Sequence, residues 1–340
     1  MNLRYITIVA AMILIFSTAS AEDGTTAYEF LNVSPSSHVY GLGGHNITII
    51  DDDINLIEQN PALLGPEIGK QVGVSYMHYL GTSNFMGARF GSSAGEHAGW
   101  AVGIQYFGYG SMTETDEGGN VLGTFSPSDI AINATYSHDI NDRIRGGINM
   151  KVVHSNYGDY NATAICTDLG VNYYNPDNDC SLSLVLKNLG GQVKKFNDTY
   201  DKLPWDVQVG WSQTMAENPI RLSVTATNLT KWKLPYYTRE DNNSTTSALV
   251  EKNSFGSNLF RHLTFAVELV PNERMYVGLG YSYKTRTDMT VYARNFVSGF
   301  SIAAGLKTSS FGVGIALAQP HVGGTTFMAN FTMSLSDLLH

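Results

Sequence analysis

The sequence predicts an all-β chain folded as a transmembrane antiparallel β-barrel of about 14 strands. Three observations predict it. Residues alternate with period two between an apolar and a small or polar face, the alternating segments are long enough to cross a bilayer when tilted, and their connections alternate short and long. In "SFGVGIALAQ", Phe311, Val313, Ile315 and Leu317 alternate with Gly312, Gly314, Ala316 and Ala318. "TFMANFTMSLS" repeats the pattern, with Phe327, Ala329, Phe331, Met333 and Leu335 on one face. Composition agrees: charged residues are 15% of the chain, against roughly 25% in soluble domains, while Gly (34) and Tyr (19) are abundant. Such an outer surface is not built for water. A net charge of -9 argues against a nucleic-acid partner, which needs a basic face.

Residues 1–21 read as a secretory signal peptide, with Arg4 ahead of an apolar stretch from Tyr5 to Phe16 and the small residues Ala19-Ser20-Ala21 after it. That stretch is too short for a helical span, and no later run of about 18 apolar residues occurs, so strands must do the crossing.

Residues 22–70 have no lipid-facing pattern and are expected to form a hatch, or plug, for the barrel of residues 71–340. "AYEFLNV" reads as a helical turn ended by Ser34-Pro35, and "INLIEQ" as another with Asp53 as N-cap. Both are too short to persist alone in water, and the barrel interior is the nearest surface on which they can pack.

Strands are expected near 71–79, 84–91, 98–108, 128–138, 143–154, 163–174, 180–189, 205–213, 219–229, 262–270, 274–286 and 298–307, ahead of the two quoted above. The connections "DINDR", "NPDND", "MAENP", "PNE" and "KTSS" are tight turns, whereas 109–127, 190–204, 230–261 and 287–297 are long and polar. Outer-membrane barrels sort their loops in this way, with short periplasmic turns and longer outer loops.

Parity assigns the two faces. Arg89, Arg145, Lys151, Arg221, Arg274, Lys284 and Lys307, with Asp168, Asp206 and Glu268, all oppose the bulky apolar positions. A Lys or Arg facing lipid near the midplane costs about 2–4 kcal/mol, so the charged face is the lumen. Trp205, Trp211, Tyr76, Tyr106, Tyr136 and Tyr283 suit the two membrane interfaces. Basic residues outnumber acidic ones on the lumen face, and Asp51, Asp52, Asp53 and Glu58 of the hatch are expected to offset them, meeting some of Arg89, Arg145, Lys151 and Arg221. Lumen glycines leave room for a backbone to approach.

Chemistry is not signalled. His38, His45 and His321 are only candidate lumen-edge residues. "HEAGW" lacks the second His of a zinc helix, and Asp51–Asp53 lack the spaced ligands of a calcium loop, so no catalytic, metal or cofactor site is expected. Cys166 and Cys180 fall on opposite parities and are not expected to pair.

"YEFLNVSPSSHVYGLGGHNITIIDDDINLIEQNPALL" resembles the N-terminal region of the PorV/PorQ family of type IX secretion outer-membrane proteins. The resemblance is carried by Tyr28-Glu29-Phe30-Leu31, Gly41-Leu42-Gly43-Gly44, Asp51–Asp53 and Asn60-Pro61-Ala62, and extends in strand number and loop order over the mature chain. It implies a non-enzymatic, FadL-like barrel of the bacterial outer membrane. It further implies membership of the cell-surface attachment complex, retaining a surface protein of the PorZ kind beside PorU and PorV. The outer-membrane lipid is then a partner, with room for a lipid or detergent molecule in the lumen. The long loop 230–261, with Trp232, Tyr236 and Tyr237 as aromatic anchors, is the expected partner-binding loop. The rival expectation is a FadL-type transporter of hydrophobic compounds, which needs an apolar path past the hatch that the polar lumen parity does not suggest. An open diffusion pore is a third.

Overall fold

Strands with one apolar and one polar face can meet a bilayer by turning the apolar face to lipid and the polar face inward, and closing the sheet removes every edge. The computed structural model describes residues 26–197, 200–215, 218–239, 248–272, 274–290 and 297–336, and has this form. The expected signal peptide lies outside the described residues.

The wall begins with β1 (Gln71–His78), β2 (Asn84–Ser93) and β3 (Ala98–Gly108). An outer hairpin, β4 (Met112–Thr115) with β5 (Val121–Phe125), rises before β6 (Ser128–Asn141), β7 (Ile144–Tyr157), β8 (Tyr160–Asn175), β9 (Cys180–Lys194), β10 (Asp206–Thr214) and β11 (Ile220–Ala226). A second outer hairpin, β12 (Tyr236–Arg239) with β13 (Leu249–Lys252), and a helix, Phe255–His262, precede β14 (Leu263–Asn272) and β15 (Met275–Ser282). A short helix, Tyr283–Asp288, then leads toward β16 (Phe300–Lys307), β17 (Phe311–His321) and β18 (Gly324–Ser334).

Omitting the two hairpins, fourteen strands pair with their neighbours and close as β1 meets β18, from Gln71 opposite Ser334 to His78 opposite Phe327. Every wall pair is antiparallel. Burial alternates along each strand: Val102 and Ile132 are about half exposed on the lipid side, while their neighbours Ala101 and Asn133 are buried. Periplasmic connections are short and the outer ones hold the hairpins and helices, so each expected strand is present.

Several strands run past their expected ends, β6 to Asn141, β7 to Tyr157 and β8 from Tyr160, and two further ends differ for a definite reason. The strand expected over 180–189 does not end there: Asn188 adopts a left-handed φ of 55°, the β8–β9 register shifts between Thr167 and Leu169, and β9 runs on to Lys194. A one-residue shift of this kind is a bulge, which period-two counting cannot foresee. The strand expected over 274–286 stops at Ser282, whose side chain caps the helix Tyr283–Asp288 by accepting from the Thr285 N–H.

Candidate functional site

The N-terminal segment lies along the lumen from one rim to the other. At the outer rim the Ala27 N–H donates to the Lys202 carbonyl (2.9 Å), and at the inner rim the Leu335 N–H donates to the Lys70 carbonyl (2.7 Å). Between them the segment forms a 3-10 turn at Glu29–Asn32, a short helix at Ser37–Gly41, and 3-10 turns at Ile54–Glu58 and Pro61–Leu63. Each of the last three is capped from its own sequence: Ser36, Asp53 and Asn60 accept from the N–H groups of Val39, Asn55 and Ala62. None would persist alone, and what holds them is burial: Val39, Leu42, Ile49, Leu56 and Leu63 form one apolar cluster, and Ile54, Ile57, Leu64 and Ile68 pack with Ala101 of β3 in another.

Inward-facing glycines allow the approach. A Cβ on Gly280 of β15 would overlap the Leu42–Gly43 backbone, and one on Gly147 of β7 would overlap the Pro61–Ala62 backbone.

The lumen is layered. At the outer end, Met77, Phe85 and Phe107 point inward from β1–β3 and pack in one cluster with Tyr28, Phe30 and Leu31 of the segment. Tyr79, Tyr109 and Phe196 from the outer loops close over them, with ring centroids 4.8 Å apart for Phe107–Tyr109 and 6.2 Å for Tyr28–Phe196. Asp129 anchors this lid, accepting from the hydroxyls of Tyr109 (2.5 Å), Tyr157 (2.9 and 3.1 Å) and Ser155. Parity did not reveal this apolar layer, which is packed over the outer part of the lumen and is not a continuous path past the segment. Parity treats a strand as uniform, whereas inward positions change character along its length.

The middle layer is ionic. Glu58 reaches Lys151 at 3.2 Å and Arg89 at 3.9 Å, Lys151 also meets Asp168 at 2.6 Å, and Glu58 accepts from Asn133 and from Asn149 (3.4 Å). Burial alone would raise the Glu58 carboxyl, but Lys151, Arg89 and Lys187 together hold it below its ordinary value. On the far wall the His38 imidazole meets Glu268 of β14 at 2.5 Å and stacks on Tyr276 at 3.6 Å, while Arg221 lies 3.9 Å from the same carboxylate.

At the inner end a cavity of about 840 Å³ remains between the segment and the wall, lined by His38, Asp51, Asp52, Asp53, Arg221 and Lys307 among others. Asp51 and Asp52 both pair with Lys307, the former at 3.1 Å, and Asp53 is occupied by its capping bonds to Asn55. Burial raises the Asp53 carboxyl.

The charge pairings differ from those expected. Asp51 and Asp52 meet Lys307 rather than Arg89, Arg145, Lys151 or Arg221, because the capped turn at Ile54–Glu58 carries the chain onward and brings Glu58 to Arg89 and Lys151. Arg145 pairs with Glu67 (2.9 Å) and Asp139 (2.5 Å) at the rim, and Arg221 with a wall carboxylate. Sequence reasoning missed Glu67, which stood in the same acidic stretch, and it named His38 and Glu268 separately without a signal that would pair them. Burial, then Lys187 and Lys284, push the His45 imidazole down to about 4. Cys166 and Cys180 are both free thiols. In the outer loop, Trp232 lies against His262 and Phe255, Tyr236 lies beneath the Arg261 guanidinium at 5.1 Å, and Tyr237 is exposed on β12.

No family model and no curated protein sequence matches the chain. Solved structures do. The monoaromatic hydrocarbon channel CymD superposes with a TM-score of 0.52 at 10% identity, over 91% of this chain and 99% of that one. A deltaS2 mutant of the monoaromatic hydrocarbon channel TodX gives 0.50 at 11%, over 87% and 97%. A Pseudomonas aeruginosa FadL homologue gives 0.47 at 11%, over 88% and 98%. The chain thus shares the fold of the two hydrocarbon channels, a closed antiparallel β-barrel. Its narrower resemblance to type IX secretion proteins has no counterpart among these matches.

Proposed function

We propose that the protein is an outer-membrane channel for small apolar compounds, with its N-terminal segment as the hatch. The observation that supports this is the aromatic layer beneath the outer loops, an apolar surface inside a lumen whose middle is ionic. A solute entering from outside meets Tyr79, Tyr109 and Phe196 first and Phe85, Phe107, Tyr28 and Phe30 beneath them, and the segment with the ionic layer stands between these and the inner cavity. A water-filled diffusion pore has no use for such a layer. The monoaromatic hydrocarbons named for CymD and TodX are of a size and polarity that suit it. The test is uptake of labelled toluene into vesicles with lipopolysaccharide in the outer leaflet. Uptake faster than in protein-free vesicles, and slowed by Phe107→Asp, is expected; equal rates would refute the reading.

A second reading, retention of a surface protein of the type IX attachment complex, is favoured by the β12–β13 hairpin, which presents Tyr237 and Leu249 about half exposed. A surface protein that co-purifies with the detergent-extracted barrel and is lost on Tyr237→Ala would support this one instead.

A further inference from the structure

We infer that the helix Phe255–His262 is an interfacial helix that lays its apolar face on the outer-leaflet acyl chains and holds the longest outer loop down on the membrane. The helix is inverted with respect to water. Its buried residues are the polar ones, Asn258, Arg261 and His262, at 3%, 4% and 2% exposure, while Phe255 and Phe260 are 71% and 50% exposed and Leu259 lies beside them. At 100° per residue the two sets fall on separate sectors, so this is one face turned inward and another outward.

The inward contacts are specific. Asn258 accepts from the Leu234 N–H at 3.1 Å, Arg261 donates to Asp288 at 2.7 Å and to Thr287, and His262 bonds the carbonyls of Thr227 (2.8 Å) and Trp232 (3.2 Å). Such a network fixes which side of the helix looks out, and an outward Phe–Leu–Phe surface in water would be a sizeable exposed apolar patch.

The occupant follows from continuity with the lipid-facing wall. The helix runs directly into the outer end of β14, whose Val267 and Leu269 face lipid. Phe260 packs edge-on against Tyr283 (6.0 Å), Tyr281 against Phe300 (4.8 Å), and Trp232 against Phe255 (5.2 Å), so the aromatic surface continues around the rim at interface level. The inside-out burial that marks every wall strand is thereby carried onto a helix. Trp232 belongs to this lipid contact and not to a protein-binding tip.

The experiment places a nitroxide on the full chain in nanodiscs, in a Cys166→Ala, Cys180→Ser background, at Phe260→Cys, with Val267→Cys as the lipid reference and Val121→Cys, exposed on the outer hairpin, as the water reference. Collision rates with oxygen and with a water-soluble nickel chelate are compared, after heat-modifiable gel mobility has verified that each barrel is closed. The expected result is an oxygen-to-nickel ratio at Phe260 close to that at Val267 and at least tenfold above that at Val121. A ratio matching Val121 would overturn the inference, and so would a nickel-accessible label that becomes protected only when a second protein or second copy is added. A Leu259→Cys label gives an independent reading if Phe260→Cys does not close its barrel.

Discussion

Replacing Glu58 with Gln tests whether the N-terminal segment docks as a unit separate from the barrel. The change keeps the shape and removes the one carboxylate that the segment supplies to Arg89 and Lys151. Lys151 keeps Asp168 at 2.6 Å, but Arg89 is left with a neutral acceptor, the Asn55 side chain at 3.3 Å. Removing one partner of a buried ion pair costs about 3–5 kcal/mol, and because half of the cluster survives, the lower end, about 3 kcal/mol, applies. At about 1.4 kcal/mol per decade, the segment's open population rises roughly a hundredfold. Hydrogen exchange followed by mass spectrometry reads this directly: protection should fall by that factor in peptides covering 54–64 and stay constant in the wall strands. The pH dependence has a fixed sign. Glu58 is held below its ordinary value in the docked state, so its contribution is present above the ordinary glutamate range and is lost as pH falls through the lowered one. The variant should lack that acid-side loss. A change of less than threefold in 54–64, or an equal change in the wall, would refute the reasoning.

Gly280→Val puts side-chain atoms where the Leu42–Gly43 backbone runs, and should raise conductance in planar bilayers while leaving the barrel heat-modifiable. Asp129→Asn removes the charge that accepts from Tyr109, Tyr157 and Ser155, at a cost of about 1–3 kcal/mol, and faster proteolysis within 109–127 is the readout. In the folded protein a bulky maleimide should label Cys180, which is partly exposed at the inner rim, and leave buried Cys166 unlabelled until denaturation.

The barrel was legible in the sequence because its cause is local. A strand between lipid and lumen must alternate, so Val313 and Ile315 against Gly312 and Gly314 reveal the faces, and loop lengths reveal the ends. The site was legible only by type. That Asp51–Asp53 and Glu58 would face basic lumen residues follows from the cost of unbalanced charge in a poorly hydrated space; which would meet which depends on the path of the chain. One capped turn at Ile54–Glu58 decides it, sending Glu58 to Lys151 and leaving Asp51 with Lys307. The helix Phe255–His262 was hidden for the opposite reason. Its pattern is amphipathic, and amphipathicity alone does not say which face is buried.

If the proposed channel function holds, the segment must be able to leave a wall that stays closed. The wall's hydrogen-bond ladder closes on itself from β1 to β18, and the segment contributes nothing to it. What the segment gives the wall is side-chain contact, an ionic middle and two rim bonds, at Lys202 and Lys70. Its departure therefore costs docking energy without exposing backbone groups to lipid, which is the step a membrane barrel cannot tolerate. The ionic middle sharpens this. Lys151 retains Asp168 and Arg221 retains Glu268 when the segment leaves, so the wall carries part of its own compensation. Arg89 and Lys307 do not, and among the described residues they are the cations whose only carboxylate partners come from the segment. The two cations that depend on the segment thus differ in access: Arg89 on β2 is buried, whereas Lys307 on β16 lies beside the inner cavity, below the aromatic layer.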